Sequence, residues 1–413
     1  MTYQETKQYL YDKLPMFQRI GGGAYKVGFE NILLLSDLLN NPHQKLTCIH
    51  VAGTNGKGST CHTLASILQE AGYKVGLYTS PHLKRFTERV RINGEEMNEE
   101  FVIHFTEKIK DFIETQKPSF FEVTTAMAFQ YFFEQKTDIN LIEVGMGGRL
   151  DATNIITPIL SIITSIGYDH QQFLGDTLQE IAGEKAGIIK KNIPVVISDN
   201  QIEIENVFVE KAKKENATIY YQLQYKNNEK FKLFLNNFVL KGIYQQKNLQ
   251  GILKASEILI EKNYKIDDEI IKKGLQNVIK NTHLKGRWQI LEENPLIICD
   301  TAHNEQGIKE VIKQMNDLSA TKIHFILGFV KDKDLQKILN LYPQNAIYYF
   351  CNFDSPRCLE NKILQDEAKK QGLEGSIYDN VNVAIEIAKS SIQKNEIIFV
   401  GGSNFLIAEI NNL

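Results

Sequence analysis

The chain has 413 residues, of which 47 are basic and 50 are acidic, so its formal net charge is −3. This balance argues against a dedicated nucleic-acid binder, whose surface is markedly basic. Hydrophobic residues make up 43% and charged residues 23%, which is typical of a globular protein, and the length predicts two or three domains.

Short apolar segments alternate with longer amphipathic ones over the first two thirds of the chain. The pattern predicts strands at 46–51, 74–78, 139–144, 159–166 and 194–197, and helices at 59–71, 101–115, 123–135, 249–262 and 267–277. Strands separated by helices are typical of a parallel sheet with covering helices. Between 217 and 240 the apolar residues alternate, which predicts a small antiparallel patch at the edge of this domain.

Strand–helix alternation starts again after residue 295. Strands are predicted at 296–299, 323–327, 347–350 and 397–400, with helices such as 306–314 and 381–389 between them. The sequence therefore predicts an α/β protein with a first domain over 1–285, a linker over 286–295 and a second, smaller α/β domain over 296–413.

The bulk features also indicate a compartment. Five cysteines form no CxxC pair, which argues against a zinc ribbon and favours a reduced environment. Residues 1–19 have no apolar run typical of a signal peptide, and the most apolar stretch, 155–166, is too short and too polar to span a bilayer. We expect a cytoplasmic, monomeric protein without nucleic-acid or membrane partners.

A glycine-rich turn between a predicted strand and a predicted helix is the strongest local motif. It reads Gly53, Thr54, Asn55, Gly56, Lys57, Gly58, Ser59 and Thr60. Glycines let backbone N–H groups converge on an anion, the following helix adds its positive end, and Lys57 adds a mobile charge. Ser59 or Thr60 could reach a magnesium ion. The spacing is shorter than that of a strict P-loop, so a plain glycine-rich turn remains the alternative.

The run 50–60 resembles the nucleotide loop of ATP-dependent amide ligases, and specifically that of the folylpolyglutamate synthase/dihydrofolate synthase family, which is related to the Mur ligases. Further segments are similar to family signatures and occur in family order: 79–83, 88–94, 120–126, 143–154, 169–170, 184–187, 286–288 and 300–304. Met146 and Thr301 replace the leucine and glycine that are usual at their positions, and neither change removes a polar ligand.

The resemblance implies a fold and a reaction. The first domain would be a P-loop ATPase-type, Mur-ligase-like ATP-binding domain, and the second a Rossmann-like glutamate-ligase domain. The enzyme would add L-glutamate to the carboxylate of dihydropteroate or a reduced folate through an acyl phosphate, releasing ADP and phosphate. Its cofactors would be ATP and two Mg²⁺ ions, and its partners small molecules.

The resemblance also implies roles for individual residues. Ser80, Glu143 and His170 would bind magnesium, and Lys185 would be carbamylated. Lys57, Lys185 and His170 would take part in catalysis. From spacing alone, His170 could equally be a hydrogen-bonded loop histidine, and Lys185 an unmodified lysine paired with Glu184 or solvated.

Two further groups would bind the nucleotide and the pterin. The ATP-binding residues would be Thr54 to Thr60 together with Asn248, Arg287 and Asp300. The substrate-binding residues would be Ser119, Phe120, Phe121, Glu122, Leu150 and Asp151. Aromatic faces suit a flat heterocycle and a carboxylate can accept from its N–H groups. The alternatives are that Phe120 and Phe121 belong to the core and that Asp300 caps the following helix.

Two other functions compete with the folate ligase. A Mur-type ligase or a P-loop kinase could act on another small carboxylate, although the segments at Glu122 and at Leu150–Asp151 argue against it. An ATP-driven regulatory switch that has lost its chemistry would lack ligands, yet Lys57, Ser80, Glu143, His170 and Lys185 are all present.

Overall fold

The computed structural model describes residues 1–16, 21, 28–221 and 228–413. The chain forms two compact units, the first from residues 1–239 and 245–284 and the second from residues 240–244 and 285–413. The boundary after the first unit therefore falls between Leu284 and Lys285, and a five-residue segment before Gln245 belongs to the second unit.

The first unit is built on one sheet, whose described strands are β1 (Cys48–Ala52), β2 (Val75–Tyr78), β3 (Val90–Ile92), β4 (Glu95–Glu96), β5 (Ile139–Glu143), β6 (Leu160–Ile163), β7 (Val195–Ile197) and β8 (Ile219–Tyr221). Their order across the sheet is β4-β3-β2-β5-β1-β6-β7-β8. The six strands from β2 to β8 in that order run parallel, and β3 and β4 add an antiparallel edge. Every residue of β1 and β5 is buried, which explains why these central strands are almost continuous apolar runs.

Helices surround this sheet. Those described are α1 (Tyr3–Lys13), α2 (Glu30–Leu38), α3 (Lys57–Glu70), α4 (Glu99–Lys108), α5 (Lys110–Gln116), α6 (Phe120–Glu134), α7 (Gln171–Leu174), α8 (Leu178–Ala186), α9 (Glu205–Lys214), α10 (Glu229–Asn237), α11 (Gln245–Glu261), α12 (Asp268–Gln276) and α13 (Val278–Thr282). The predicted helix 101–115 is divided at Ile109 into α4 and α5. Helix α3, which follows β1, is buried from Ser59 to Leu68, so the glycine-rich turn at 53–60 leads directly into the interior of the unit.

The second unit contains a smaller sheet and its own helices. The strands are β9 (Gln289–Glu293), β10 (Leu296–Asp300), β11 (Lys322–Leu327), β12 (Ile347–Cys351), β13 (Gly375–Tyr378) and β14 (Glu396–Gly401), in the order β13-β12-β11-β14-β10-β9. The helices are α14 (Glu305–Asp317), α15 (Leu335–Leu339), α16 (Asn361–Lys370), α17 (Val381–Ser391) and α18 (Asn404–Ala408). All neighbouring strands are parallel except β9, which is antiparallel to β10.

Alternate residues of the second sheet pack on opposite faces. Phe325 and Phe350 belong to an apolar cluster with α14, α15 and α16, whereas Ile326 and Tyr349 belong to a cluster with α17 and α18. Side chains of a strand alternate between its faces, so helices on both faces bury both sets. Each fully buried side chain of this size contributes about 1.5–3 kcal/mol to folding. The predicted α/β fold class, with two parallel-rich sheets, is confirmed.

Two expectations about secondary structure are wrong. The antiparallel patch predicted over 217–240 does not form, because β8 is parallel to β7 and residues Glu229–Asn237 form helix α10; residues 222–227 lie outside the described part. Phe231 and Phe234 are three residues apart and therefore share one buried helix face, and Asn228 caps that helix by accepting from the backbone N–H of Lys230 at 2.8 Å.

The predicted linker 286–295 is also wrong in part. Residues Gln289–Glu293 form the edge strand β9 of the second sheet and do not connect the units. This strand was not predicted because its residues are all half-buried or exposed, so its apolar alternation is weak. Strand β13, which is also at an edge and half-exposed, was missed for the same reason.

Candidate active site

The glycine-rich turn at 53–60 is held against the loop that follows β6. The backbone N–H of Thr54 donates to the carbonyl of Ser165 at 2.8 Å. The Thr54 hydroxyl donates to the carbonyl of Gly167 at 3.1 Å and accepts from its N–H at 3.0 Å. Asn55 forms an isolated antiparallel bridge with Ser165. These bonds set the path of the loop before α3 begins at Lys57.

Gly56 allows a close contact between this turn and helix α11. Its φ of +95° lies in the left-handed region, and a Cβ on Gly56 would overlap the side-chain oxygen of Asn248. Asn248 donates to Gln245 Oε1 at 2.8 Å, and Gln245 in turn donates to Ser59 Oγ at 3.0 Å. The predicted ATP residue Asn248 therefore lies at the turn.

Gln245 was not predicted. It is fully buried and lies three residues before Asn248, so both amides are on one side of α11. The available sequence signal was the three-residue spacing of two amides, Gln245 and Asn248, at the start of an amphipathic segment. The neighbouring Thr60 Oγ1 is buried and has no hydrogen-bond partner among the described residues.

Two lysines meet at one backbone oxygen of the turn. Lys57 Nζ donates to the carbonyls of Gly53 at 3.1 Å and Thr54 at 3.2 Å, and Lys185 Nζ donates to the same Gly53 carbonyl at 3.0 Å. Lys185 is only 4% exposed. Burial, assisted by the like charge of Lys57, lowers the pKa of Lys185 to about 7. A large fraction of this amine is therefore neutral near pH 7.

Ser80 and Glu143 come together at the carboxyl edge of the sheet. Strands β2 and β5 are parallel neighbours, with Tyr78 opposite Ile142, so the residues that follow them are adjacent. The backbone N–H of Ser80 donates to the Glu143 carboxylate at 3.0 Å, and Glu143 is 4% exposed. The carboxyl edge of a parallel sheet is where α/β proteins place their ligands.

His170 lies in the loop after β6. This strand pairs with β1 on the side opposite β5. Its backbone is left-handed, with φ of +53°, and its N–H donates to Asp169 Oδ1 at 3.0 Å. The ring Nε2 lies 3.8 Å from Asp169 Oδ2. Within the described residues, no group of three or more His, Cys, Asp and Glu side chains is arranged to hold a metal ion. The predicted magnesium ligands are a serine, a glutamate and a histidine, and their binding of magnesium stays a prediction.

The glycine-rich signature at 143–154 packs on the end of helix α8. The backbone N–H of Arg149 donates to the carbonyl of Glu184 at 2.7 Å, and its guanidinium donates to the Glu184 carboxylate at 2.8 and 3.1 Å. Asn154 donates to the carbonyl of Gly187 at 3.1 Å. These contacts hold the residues on both sides of Lys185, and so connect the 143–154 segment to the segment that carries this lysine.

The predicted substrate residues have clear structural roles. Ser119 and Glu122 form a capping box at the start of α6: the N–H of Glu122 donates to the Ser119 hydroxyl at 3.2 Å, and the N–H of Ser119 donates to the Glu122 carboxylate at 2.7 Å. The Ser-x-x-Glu spacing before an apolar run was the signal for this cap. Phe120 is 3% exposed and belongs to the main core of the unit.

Phe121, Asp151 and Leu150 complete that set. The half-buried ring of Phe121 lies 5.9 Å from that of Tyr78 and against Gly145. Asp151 is buried and accepts from the N–H of Met146 at 2.9 Å and from that of Thr153 at 3.0 Å, and burial raises its pKa. Leu150 is half-buried. Contact of these side chains with a substrate stays a prediction.

In the second unit, Asp300 is the centre of a buried network. Its carboxylate accepts from the hydroxyl of Tyr244 at 2.5 Å, from the N–H of Trp288 at 2.7 Å and from the N–H of Ala302 at 2.8 Å. Burial raises the pKa of Asp300 and, with the Asp300 charge, that of Tyr244. Asn304, not Asp300, caps α14 by accepting from the N–H of Gly307 at 2.9 Å, so the alternative assignment of Asp300 as that cap is wrong.

Arg287 is close to this network. Its guanidinium donates to the hydroxyl of Thr301 and, at 3.2 Å, to the carbonyl of Gly286. Thr301, one of the two departures from the family pattern, also donates its hydroxyl to the Gly286 carbonyl at 3.0 Å. The binding of nucleotide by Arg287 and Asp300 stays a prediction.

A buried arginine near Ser80 was not among the predicted site residues. Arg89 is 3% exposed and donates from Nε to Nδ1 of His82 at 2.8 Å. Burial, and then the charge of Arg89, lowers the pKa of His82 well below its usual range. The Glu88 carboxylate accepts from the N–H groups of Leu83 at 2.8 Å and Arg85 at 3.0 Å, which fixes the loop between Ser80 and β3.

Comparison with known proteins identifies the family. Residues 51–250 match the Mur ligase middle domain and residues 286–404 match the Mur ligase glutamate ligase domain. The chain is 33% identical to the dihydrofolate synthase/folylpolyglutamate synthase of Bacillus subtilis, over 99% of this chain and 98% of that protein.

Solved structures agree with this assignment. The structure of E. coli FolC in complex with DHPP and ADP is 28% identical, with a TM-score of 0.86 over 99% of this chain and 96% of that one. A bifunctional folylpolyglutamate synthase/dihydrofolate synthase from Yersinia pestis, with Mn, AMPPNP and L-glutamate bound, is 26% identical, with a TM-score of 0.81 over 99% of this chain and 97% of that one.

No helix among the described residues is long and apolar enough to cross a membrane. The family and the enzyme class predicted from the motifs are confirmed by the domain matches, by the curated relative and by the structural neighbours. The chain belongs to the folylpolyglutamate synthase/dihydrofolate synthase family of the Mur ligases, and it is an ATP-dependent ligase.

Proposed function

We propose that this enzyme joins L-glutamate to the carboxylate of dihydropteroate, of a reduced folate, or of both. The observation that carries the proposal is the convergence of Lys57 and Lys185 on the Gly53 carbonyl of the nucleotide turn, in a unit that also pairs Ser80 with Glu143 at its carboxyl edge. Relatives and neighbours that match nearly the whole chain bear the names of both folate activities or have ADP, DHPP or L-glutamate bound.

The chemistry needs two steps because a carboxylate has no good leaving group. A carboxylate oxygen first forms a bond to the γ-phosphorus of ATP while the bond from that phosphorus to ADP breaks. The neutral amine of glutamate then attacks the carbonyl carbon, loses a proton and displaces phosphate. Phosphoryl transfer of this kind depends on positioning and on neutralisation of charge.

The residues of the turn suit a nucleotide. The glycines allow backbone N–H groups to face the phosphates, and Lys57 can exchange its two carbonyl partners for phosphate oxygens. The buried Thr60 Oγ1, which lacks a partner among the described residues, fits a polar ligand at the start of α3. Asn248 and Gln245 hold the opposite side of the turn in place.

The residues at the sheet edge suit magnesium, which prefers oxygen ligands. We assign Ser80 and Glu143 to one ion and His170 to a second. When bound, such ions neutralise the charge that develops on the transferred phosphoryl group. The neighbours' AMPPNP and Mn support a nucleotide with a divalent metal, and the number of ions is part of this proposal.

Lys185 is proposed to be carbamylated. Only a neutral amine can attack carbon dioxide, and the pKa of about 7 supplies that form near neutral pH. The nitrogen bonds to the carbon of CO₂, one proton is released, and the product is an anionic carbamate. This change replaces the repulsion between Lys57 and Lys185 with attraction, which makes it favourable at this site.

One assay tests the proposed function. ADP release is measured with dihydropteroate and with tetrahydrofolate, each with and without L-glutamate. Glutamate-dependent turnover with either acceptor supports the proposal, and the pair of acceptors shows which folate activity is present. ADP release that needs an acceptor but not glutamate would favour a kinase, and no response to either acceptor would favour a ligase for another carboxylate.

The cytoplasmic location and the monomeric state stay predictions. Cell fractionation can check the location, and light scattering can check the oligomeric state.

A further inference from the structure

The environment of Arg89 restricts what it can do. The side chain is buried, and its guanidinium carbon lies 5.1 Å from the centre of the Phe120 ring. That ring is in edge contact with Phe86, at 5.9 Å, and Phe86 is in edge contact with His82, at 6.4 Å. The flat guanidinium is therefore held between an aromatic face and the imidazole of His82.

The hydrogen bond between these two residues fixes the tautomer of His82. A guanidinium nitrogen can only donate, so His82 Nδ1 must accept from Arg89 Nε at 2.8 Å. An imidazole whose Nδ1 accepts carries its hydrogen on Nε2. Among the described residues, no hydrogen bond is formed by His82 Nε2. The ring thus presents a fixed Nε2–H donor.

The residue that carries this donor is close in the chain to a residue of the proposed site. His82 is two residues after Ser80, whose N–H is bonded to Glu143. The Glu88 carboxylate accepts from the N–H groups of Leu83, Lys84 and Arg85 at 2.8–3.1 Å, so the backbone that directly follows His82 is held by three hydrogen bonds. A fixed donor next to a buried, permanent cation favours an anionic partner.

We propose that the Nε2–H of His82 donates a hydrogen bond to the substrate carboxylate that becomes the acyl phosphate, and that Arg89 is the positioning residue that keeps His82 in this tautomer. The inference rests on the proposed ligation. It gives a role to the Ser80–His82 loop beyond metal binding. A preorganised donor aimed at an oxygen that changes its charge is an effective way to lower a barrier.

The first test is spectroscopic. In the enzyme labelled with ¹⁵N-histidine, the ring nitrogens of His82 are expected to show a single neutral form with hydrogen on Nε2. Arg89→Met should lose this form, whereas Arg89→Gln, whose amide can still donate to Nδ1, should keep most of it. A wild-type His82 ring with hydrogen on Nδ1 would overturn the proposal. This spectrum can be measured whether or not the enzyme is active.

The second test uses two amides at the same position. The amide nitrogen of His82→Gln can occupy the place of Nε2, whereas the shorter His82→Asn can only reach the place of Nδ1. We expect His82→Gln to keep kcat within about threefold and His82→Asn to lose about 100-fold, with little change in the KM for ATP. Equal kcat values in the two folded variants would reject the role of the donor.

Failure of the proposed ligation can be distinguished from failure of the inference about His82 and Arg89. If the wild-type enzyme shows no glutamate-dependent ADP release with either acceptor, the proposed function is wrong, whatever the histidine spectrum shows. If the wild type is active but Arg89→Met leaves both the tautomer and kcat unchanged, the ligation stands and the inference about Arg89 and His82 is wrong.

Discussion

Lys57 and Lys185, which are 128 positions apart, donate to the same carbonyl oxygen of Gly53, at 3.1 and 3.0 Å. Two cations on one acceptor repel each other, and the burial of Lys185 weakens the screening of this repulsion by water. This repulsion falls if one amine is neutral or carbamylated, or if an anion binds between them. The turn therefore favours a change in the charge of Lys185 or the binding of an anion.

Lys57→Ala is expected to abolish turnover without unfolding the protein. The half-buried Lys57 contacts two carbonyls of the turn and is not part of the apolar core, so its loss should lower kcat by 100-fold or more, on the order of the effect of removing a preorganised charge, with little change in Tm. ADP release and thermal unfolding check this. Lys232→Ala, on the exposed side of α10, is the matched control and should match the wild type. A normal rate in Lys57→Ala would refute the assignment of the turn.

The buried amine of Lys185 predicts how stability depends on pH in CO₂-free buffer. Its folded-state pKa is about 7 against 10.5 as the ordinary value, so between these pH values the unfolded chain binds a proton that the folded chain does not. The free energy of unfolding should therefore rise with pH across this window, relative to Lys185→Met, by on the order of a few kcal/mol. Urea denaturation at several pH values measures it. Parallel pH profiles for the two proteins would contradict the lowered pKa.

Carbamylation of Lys185 has its own signature. With ¹³C-labelled bicarbonate, the wild-type enzyme should show one carbamate carbon resonance that is absent from Lys185→Met. Removal of CO₂ should lower kcat reversibly. A wild-type enzyme that is fully active without CO₂ and shows no such resonance would disprove the modification.

Comparison of Gly56→Ala with Gly72→Ala distinguishes the effect of backbone strain from the effect of steric overlap with Asn248. Both glycines have left-handed backbones, with φ of +95° and +87°, so each substitution should cost about 1–2 kcal/mol of stability. A Cβ at Gly56 would also meet Asn248, whereas a Cβ at Gly72 would have nothing within 4 Å. We expect Gly56→Ala alone to raise the Kd for ATP, measured by calorimetry. Equal ATP affinity in the two variants would show that the contact with Asn248 does not shape the site.

Ser119 distinguishes a helix cap from a substrate contact. Ser119→Ala removes the cap of α6 and should lower the free energy of unfolding by about 1 kcal/mol, whereas Ser119→Thr keeps a capping hydroxyl and should be near neutral. Denaturation and the KM for the pteroyl substrate are measured in both. A KM that rises in Ser119→Thr at unchanged stability would instead assign the hydroxyl to the substrate.

Much of the architecture is readable from the sequence because it is local. Strands β1 and β5 are apolar runs of strand length, and the glycines, lysine and hydroxyls of the turn at 53–60 lie between a strand and a helix, where a phosphate site requires them. Strong periodicity also predicted the second α/β unit. The secondary-structure prediction failed at β9, β13 and α10. These segments are only partly buried, and partial exposure leaves little apolar pattern in the sequence.

Contacts between residues far apart in the chain could not be predicted from local sequence patterns. The sequence by itself determined which residues carry charge, which turns are permitted by glycine, and to which family the motifs belong. Only the tertiary structure decided that the backbone of Ser80 bonds to Glu143 and that the amine of Lys185 is buried beside the Gly53 carbonyl. The reason is physical: hydrogen bonds and pKa values depend on distance and burial, which follow from how strands far apart in the chain become neighbours in a sheet.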